Sequence, residues 1–318
     1  MTTPRQAVGD LLTALSDRLV GQDHIVRGLI IALLCDGHLL VEGPPGTGKT
    51  RVIKALAQLL GVSFGRVQFT PDLLPSDLTG SEIYTAKREL EFRPGPLFNQ
   101  LILADEINRA PARVQSALLE AMEERQVTVG GSSMALPRPF LVMATQNTVD
   151  QEGTYPLPEA QLDRFFMKLE IDYPSREADF VILRQQQNEE LSDSAHSPVL
   201  NPNDVEEAQK QIRDVTLSDS VVQYIVDLVH ATRFPERYSS ELAGWIQAGA
   251  STRASLSIQR AARANAWLAG RDYVEPEDVR AVLSPCLMHR VQLSFDARAA
   301  RVNSERFVKT LLDHVAAH

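Results

Sequence analysis

Cysteine is scarce in this chain, which has only Cys35 and Cys286 among its 318 residues. Both lie in apolar, helix-like stretches, and neither has a metal-type spacing to the other or to a histidine. Because free cysteine is among the most buried residue types, we expect two buried core thiols. The pattern argues against a disulfide and against a reactive cysteine site.

Long hydrophobic runs are also missing. The most apolar run, Leu29–Leu34, is followed closely by Asp36 and is far shorter than the roughly 20 residues that span a bilayer. The first twenty residues lack a basic segment followed by an apolar one, and the leucine spacing from Leu11 to Leu19 predicts an amphipathic helix. We therefore expect no membrane span, no signal peptide and a cytoplasmic location.

Positive charge is in the minority, with 32 Lys and Arg against 41 Asp and Glu, a net charge of −9. The molecule as a whole should repel a polyphosphate backbone, although a local basic channel stays open. A chain with 44% hydrophobic and 23% charged residues has average globular composition, which excludes a largely disordered, collagenous or membrane-embedded protein. Its length suggests about two domains.

The region from Gly37 to about Ile171 alternates short β-rich runs with helical segments. Such alternation predicts an α/β domain in which helices cover both faces of a parallel sheet. Near-continuous apolar runs such as Leu101–Ala104 are typical of strands buried on both faces. The predicted segments are His38–Glu42, Lys49–Leu60, Val67–Thr70, Leu97–Asn99, Leu101–Asp105, Val114–Arg125 and Pro139–Thr145.

The composition changes after Pro174. A polar stretch from Gln185 to Asn203 predicts an exposed loop, and apolar residues at helical spacing follow it nearly to the end of the chain. We therefore predict two domains. The first, residues 1–174, is the α/β core with its N-terminal helix; the second, residues 175–318, is all-helical, with 175–203 as linker and loop.

A glycine-rich loop, Gly43–Thr50, follows the first predicted strand and opens the first predicted helix. In this context glycines let backbone N–H groups turn inward around a phosphate, and the helix N-terminus adds a favourable field. Lys49 is expected to reach the β- and γ-phosphates, and Thr50 to ligate Mg²⁺. The predicted nucleotide-binding residues of the loop are Gly43, Pro44, Pro45, Gly46, Thr47, Gly48, Lys49 and Thr50.

Polar residues follow two other predicted strands. Asp105 and Glu106 end an apolar strand, and Asn147 follows another. Carboxyl ends of parallel strands form the mouth of the site in open α/β sheets. We expect Asp105 to orient Mg²⁺ through its water shell, Glu106 to polarise a lytic water and Asn147 to hold that water. The loop alone leaves hydrolase, kinase and passive binder open, and the two acids favour hydrolysis.

These motifs, together with Leu157–Phe165, resemble the AAA+ ATPases, and closely their MoxR branch. The likeness extends from about residue 5 to residue 295. Thr252 departs from the pattern, because the family more often has proline there. Further stretches characteristic of the branch are Val20–Gln22, Phe92–Pro96, Gln151–Pro156 and Gly249–Ser255.

The resemblance implies a P-loop NTPase core followed by a helical lid domain, and it implies roles for further residues. Arg164 matches the arginine finger, which reaches the γ-phosphate bound by a neighbouring subunit and in other nucleotide hydrolases is worth about 10³ to 10⁵ in rate. Arg253 matches a second sensor arginine in the lid. Gly21 and Gln22 match the segment that lines the adenine pocket, which favours ATP.

The resemblance further implies a Mg²⁺-dependent ATPase with ATP and Mg²⁺ as cofactors. The expected assembly is a homo-oligomeric ring, with a hexamer as the expected form, that remodels or matures a protein client such as one with a von Willebrand factor A domain. Two insertions, Pro75–Pro94 and the predicted hairpin Val127–Leu136, protrude from such rings in similar proteins.

Three alternatives remain open at this point. One is a nucleic-acid motor or loader of the same clade, against which the acidic balance and the lack of a helix-turn-helix, zinc finger or aromatic-basic patch speak. Another is a P-loop kinase for a small molecule. The third is a nucleotide-gated scaffold that turns over very slowly.

Overall fold

The computed structural model describes residues 3–84, 89–147, 154–190 and 198–317, with the backbone alone for 185–190. The chain groups into two compact units. The first unit comprises Met1–Leu157 and Leu169–Glu207, and the second comprises Pro158–Lys168 and Ala208–His318. The short segment Pro158–Lys168 therefore belongs with the C-terminal helices. The predicted functional division at residues 174/175 stays a prediction.

The part of the chain up to Glu170 contains the strands of the main sheet. Its helices are α1 (Pro4–Arg18), α2 (Asp23–Leu34), α3 (Lys49–Leu60), α4 (Pro75–Thr79), α5 (Ala112–Glu124) and α6 (Glu159–Leu162), with short 3₁₀ helices at Pro96–Phe98 and Ile107–Arg109. Its strands are β1 (Leu39–Glu42), β2 (Phe64–Gln68), β3 (Gly80–Tyr84), β4 (Leu90–Pro94), β5 (Leu101–Asp105), β6 (Gln126–Val129), β7 (Ser132–Ala135), β8 (Leu141–Gln146) and β9 (Met167–Glu170).

The main sheet has five strands in the order β2-β5-β8-β1-β9, and the pairs β2/β5, β5/β8 and β8/β1 are parallel. This arrangement confirms the predicted α/β core. The central strands are buried along nearly their whole length, as their apolar sequences predict. In the register of the sheet Glu42 faces Gln146 and Gln68 faces Asp105, so the carboxyl ends of four strands meet at one edge.

Several local predictions are confirmed. Helix α1 corresponds to the expected amphipathic N-terminal helix, and α3 covers Lys49–Leu60 as predicted, ending where Gly61 adopts a left-handed conformation. The predicted hairpin is formed by β6 and β7, an antiparallel pair joined by Gly130 and Gly131, both at positive φ.

Other local predictions need correction. The β-rich run expected at Leu97–Asn99 is wrong, because Pro96 opens a 3₁₀ helix there and the Asn99 side chain donates back to the Pro96 carbonyl at 2.9 Å. The strand expected at Val67–Thr70 is β2, which begins earlier, and the strand expected at Pro139–Thr145 is β8, which begins later.

The remaining part of the chain is almost entirely helical. Its helices are α7 (Arg176–Glu190), α8 (Pro202–Asp214), α9 (Asp219–Arg233), α10 (Ser240–Trp245), α11 (Thr252–Leu268), α12 (Pro276–Leu287), α13 (Phe295–Ala299) and α14 (Ser304–His314), with 3₁₀ helices at Pro235–Arg237 and Met288–Arg290. Two short strands, β10 (Ile246–Ala248) and β11 (Gln292–Leu293), form an antiparallel pair. The all-helical prediction is therefore corrected by this small sheet.

The loop predicted at Gln185–Asn203 is wrong at both ends, since residues 185–190 continue α7 and α8 begins at Pro202. Glutamine and glutamate are good helix formers, and residues 185–190 contain no glycine or proline. Residues 191–197 lie outside the described part. Cys35 and Cys286 are both buried thiols, as expected. Within the described ranges, no helix has the length and apolar character needed to cross a bilayer.

An ion pair between the partly exposed Arg271 and the buried Asp278 stabilises the second unit at the start of α12. Asp278, whose side chain is 1% exposed, accepts hydrogen bonds from Arg271 at 2.6 and 2.7 Å, from the Asn265 amide at 2.8 Å and from the backbone N–H of Glu275 at 2.9 Å. Burial acts to raise the pKa of Asp278, and these hydrogen bonds outweigh it, so the pKa is lowered. The ionised carboxylate therefore stabilises the fold.

We expect Asp278→Ala to reduce the free energy of unfolding by about 3 kcal/mol at neutral pH, because two donors of Arg271 and the buried amide of Asn265 lose their acceptor. Since the folded-state pKa is lowered, this contribution is fully present above the unfolded pKa of about 3.9 and is lost as the pH falls through the folded pKa. Denaturant unfolding as a function of pH measures both effects. The exposed Asp313→Ala on α14 is the control, with an expected change within about 0.5 kcal/mol; equal losses would contradict the assignment.

Candidate active site

The glycine-rich loop lies between β1 and α3. Gly46 and Gly48 both adopt φ of 81°, a left-handed conformation that favours glycine, and the N-cap residue of α3 is Gly48, which has no side chain to cap the helix. The loop backbone also passes close to the chain that follows β9: a Cβ on Gly43 would lie 2.2 Å from the Ile171 carbonyl oxygen. Uncapped amides at a helix N-terminus form an anion-binding site.

The Lys49 side chain lies over this loop. Its Nζ donates to the carbonyl oxygens of Gly43 at 2.6 Å and Pro44 at 2.8 Å. Partial burial lowers the pKa of Lys49, and the negative charges of Asp105 and Glu106 act in the opposite direction. An ammonium group has three donors, so two bonds to the loop position Lys49 while a third donor can serve an anion.

The two acids at the end of β5 are each tied to other side chains. Asp105, whose side chain is 14% exposed, accepts from Thr145 Oγ1 at 2.7 Å and pairs with Arg66 Nη2 at 2.7 Å. Glu106 Oε2 accepts from Gln68 Nε2 at 2.9 Å and lies 3.1 Å from Arg109 Nε. Glu106 is at φ 57°, which is costly for a residue with a side chain.

One hydroxyl holds both acids. Thr145 Oγ1 donates to Asp105 and accepts from the backbone N–H of Glu106 at 2.9 Å. Thr145 is 1% exposed, so its hydroxyl has these protein partners in place of water. This contact fixes the carboxylate of Asp105 and the unusual backbone of Glu106 together.

Replacement of Thr145 by valine keeps the shape and removes the hydroxyl. We expect Thr145→Val to lower kcat for phosphate release about tenfold and to raise the Mg²⁺ concentration needed for half-maximal rate, because the Glu106 N–H loses its acceptor and Asp105 a donor. Thr145→Ser, which keeps the hydroxyl, should remain close to wild type. A valine variant with wild-type kcat and Mg²⁺ dependence would contradict this role.

Sequence reasoning missed Thr145, Arg66, Gln68 and Arg109. Thr145 carried a signal, since a hydroxyl inside an apolar strand needs a partner. Arg66 and Gln68 alternate along β2 and reach the acids only because β2 pairs with β5. That pairing is not visible in the local sequence.

The adenine-segment prediction concerns Gly21 and Gln22. Gly21 has φ of 77°, and Gln22, which is 9% exposed, donates from Nε2 to the Thr47 carbonyl at 3.0 Å. The segment is therefore anchored to the phosphate loop. Across the described ranges, Gln22 Oε1 has no hydrogen-bond partner although it is buried. A ligand with an N–H donor suits this acceptor.

Asn147 follows β8 and is half-buried at the edge of the sheet where Asp105 ends β5. The first unit therefore brings the loop, the two acids and Asn147 to the carboxyl ends of β1, β5 and β8. Of the stretch Gln151–Pro156, residues 151–153 lie outside the described part.

Arg164 and Arg253 lie in the second unit and are both exposed. Arg164 follows α6, and Arg253 is the second residue of α11. Both are next to Asp163, since Arg164 is its chain neighbour and Arg253 Nη1 lies 3.5 Å from Asp163 Oδ2. Both predicted arginines therefore lie beside Asp163.

Comparison with known families identifies both parts of the chain. Residues 38–167 match the ATPase family associated with various cellular activities (AAA), and residues 243–311 match the AAA lid domain. The crystal structure of a candidate ATPase from Cytophaga hutchinsonii superimposes with a TM-score of 0.92 and 44% sequence identity, covering 99% of this chain and 96% of that one. The fold and site define an AAA+ ATPase.

Individual relatives narrow the class. Chaperone MoxR1 of Mycobacterium tuberculosis is 44% identical over 94% of this chain and 79% of its own length. Protein YeaC of Bacillus subtilis is 45% identical over 93% of this chain and 90% of its own length. Protein MoxR of Paracoccus denitrificans is 35% identical over 96% of this chain and 93% of its own length. The chain belongs to the MoxR family of AAA+ ATPases, as its sequence motifs indicate.

Proposed function

We propose that this protein hydrolyses ATP to ADP and phosphate with Mg²⁺ and uses the reaction to remodel or mature a protein partner. The observation that carries the proposal is the placement of a left-handed glycine loop, Lys49 and the two acids held by Thr145 at the carboxyl edge of one parallel sheet. An open α/β sheet binds its ligands at this edge.

The donor set suits a magnesium nucleotide. The Asp105 carboxylate and the Thr50 hydroxyl are hard oxygen donors, and Mg²⁺ is usually held by one or two carboxylates together with substrate phosphates. When bound, Mg²⁺ would neutralise charge that develops on the phosphates. Gln22 Oε1, which has no hydrogen-bond partner among the residues that the structure describes, suits the amino group of adenine, which guanine lacks at that ring position.

Residues of this chain bind the phosphates and activate the attacking water. Lys49 and the backbone amides of the loop hold the phosphates, and Glu106 orients the attacking water and accepts its proton. Asn147 holds the same water through its amide. The contacts of Glu106 with Gln68 and Arg109 fix its carboxylate before the substrate binds.

A neighbouring subunit completes the site in this proposal. Arg164 is exposed on the second unit and would reach the γ-phosphate bound by the next subunit of a homo-oligomeric ring, a hexamer in the expected form. Its guanidinium neutralises charge on the transferred phosphoryl group. An isolated subunit has no neighbour to supply this arginine, so we expect it to be nearly inactive.

We expect Arg164→Ala to reduce turnover at least about tenfold while ATP affinity stays close to wild type, because the finger acts only in the transition state. Steady-state phosphate release and calorimetric ATP titration measure the two quantities separately. Arg213→Ala, an exposed arginine of α8, is the matched control. Full turnover in the Arg164 variant would contradict a role in hydrolysis.

The proposed client is a protein that contacts exposed apolar surface of this chain. One relative is named a chaperone, and the family association suggests a client with a von Willebrand factor A domain. The hairpin formed by β3 and β4 exposes Ile83, Tyr84 and Leu90, which gives a client apolar surface to contact. A pull-down with Glu106→Gln should retain the client with ATP and release it without ATP. Turnover stimulated by DNA at low salt would favour a nucleic-acid motor instead.

A further inference from the structure

The second unit contains a polar cluster around Asp163, the residue that precedes Arg164. Asp163, with its side chain 16% exposed, accepts from Ser251 Oγ at 3.0 and 2.9 Å and from Arg290 Nε at 2.8 Å. Arg253 Nη1 lies 3.5 Å from Asp163 Oδ2. One carboxylate therefore contacts the residue that caps α11, the second residue of that helix and a buried arginine.

Arg290 anchors the same segment from the other side. Its side chain is 2% exposed and donates to Asp163 O at 3.1 Å, to Phe165 O at 2.6 Å, to Phe166 O at 3.3 Å and to Ser257 Oγ at 3.1 Å, and also to Cys286 O. Burial lowers the pKa of Arg290, and the bond to Asp163 opposes that shift. A buried guanidinium is tolerable only when such acceptors surround it.

A third contact comes from the residue before Arg290. His289 is buried and its Nε2 is 3.1 Å from the Phe165 carbonyl oxygen. Burial lowers the pKa of His289 well below its usual value, so the neutral ring donates to that carbonyl. The backbone on both sides of Arg164 is thus held by residues of the second unit, to which the segment itself belongs.

We propose that Asp163 is a positioning residue that fastens the segment bearing Arg164 to the start of α11, so that Arg164 and Arg253 change position together. The inference rests on the proposed function of the two arginines. Ser251 links the two segments, because its hydroxyl accepts from the Arg253 N–H at 3.1 Å and donates to Asp163. The carboxylate also lies where an α-helix N-terminus favours negative charge.

The consequence is communication between successive sites. Whichever nucleotide Arg253 contacts, a displacement of α11 is passed through Ser251 and Asp163 to Arg164, which serves a neighbouring subunit. A free loop after α6 would instead let the finger move independently of the helix. The two arrangements predict different values of kcat when a substitution at Ser251 is combined with one at Arg164.

The test is a double-mutant cycle on kcat for phosphate release. Ser251→Ala removes the hydroxyl that links Asp163 to α11. The Asp163–Arg290 pair stays in place, so the unit should fold. We expect kcat to fall about three- to tenfold in the wild-type background and to stay unchanged in the Arg164→Ala background, since no finger remains to be misplaced. ATP affinity should change little in either.

Ser218→Ala is the control for the loss of a helix cap. It removes the hydroxyl that accepts from the Val221 N–H at the start of α9. This control should cost similar thermal stability and leave kcat unchanged. Asp163→Asn serves as the second variant, with faster amide hydrogen exchange expected at residues 158–168 and at the start of α11 together.

Several results would overturn the inference: the same fold loss of kcat for Ser251→Ala in both backgrounds, no loss in either, or faster exchange in only one of the two segments. A wild-type protein that does not hydrolyse ATP, or an Arg164→Ala variant with full turnover, would instead be a failure of the proposed function. The two failures are therefore distinguishable.

Discussion

Glu106→Gln is expected to bind ATP with an affinity close to wild type and to release phosphate at least about 100-fold more slowly. An amide keeps the size of the side chain and can still pair with Gln68, but it cannot accept the proton of an attacking water. Hydrolysis therefore stops after binding. Single-turnover phosphate release and calorimetric titration on the same preparation measure the two steps.

The matched control for this variant is Glu120→Gln, an exposed glutamate on α5, which should hydrolyse ATP at the wild-type rate. Retention of more than half of the wild-type rate in Glu106→Gln would exclude Glu106 as the base. Loss of ATP binding would show that the carboxylate serves the fold of the loop after β5 instead.

Lys49→Ala is expected to weaken ATP binding about 10- to 100-fold. Charge-assisted hydrogen bonds of this kind contribute roughly 1.5–3 kcal/mol, and the partial burial of Lys49 keeps the interaction from being screened by water. The variant also removes the ammonium that bonds the carbonyl oxygens of Gly43 and Pro44. Turnover should fall with binding.

Lys54→Ala is the control for Lys49, since Lys54 lies on the same helix and is exposed. Its ATP affinity should match wild type. Equal ATP affinity in both lysine variants and in wild type would place the nucleotide elsewhere on the molecule.

The parts that the sequence predicts best are local ones. The glycine loop, the helix Lys49–Leu60 and the acids after β5 are each encoded within a dozen residues, because strand, turn and helix signals follow one another directly. The same holds for the hairpin at Gly130 and Gly131. In these places propensity and tertiary structure agree.

The parts that the sequence does not predict depend on partners far along the chain. Arg66 and Asp105 are 39 residues apart, and Arg290 and Asp163 are 127 residues apart. Their contacts follow from strand order and from the return of the chain after α12, neither of which has a local signature. The end of α7 was predicted as a loop for a different reason. Its residues are polar, and polarity indicates exposure to solvent but does not exclude a helix.

A subunit-mixing experiment tests the central claim, that one protomer holds ATP and another completes the site with Arg164. Glu106→Gln protein has a finger but no base, and Arg164→Ala protein has a base but no finger. Each alone should be nearly inactive. An equal random mixture should regain phosphate release at about a quarter of the wild-type rate, because about one interface in four combines an intact base with an intact finger. A mixture no more active than its two components would contradict the claim.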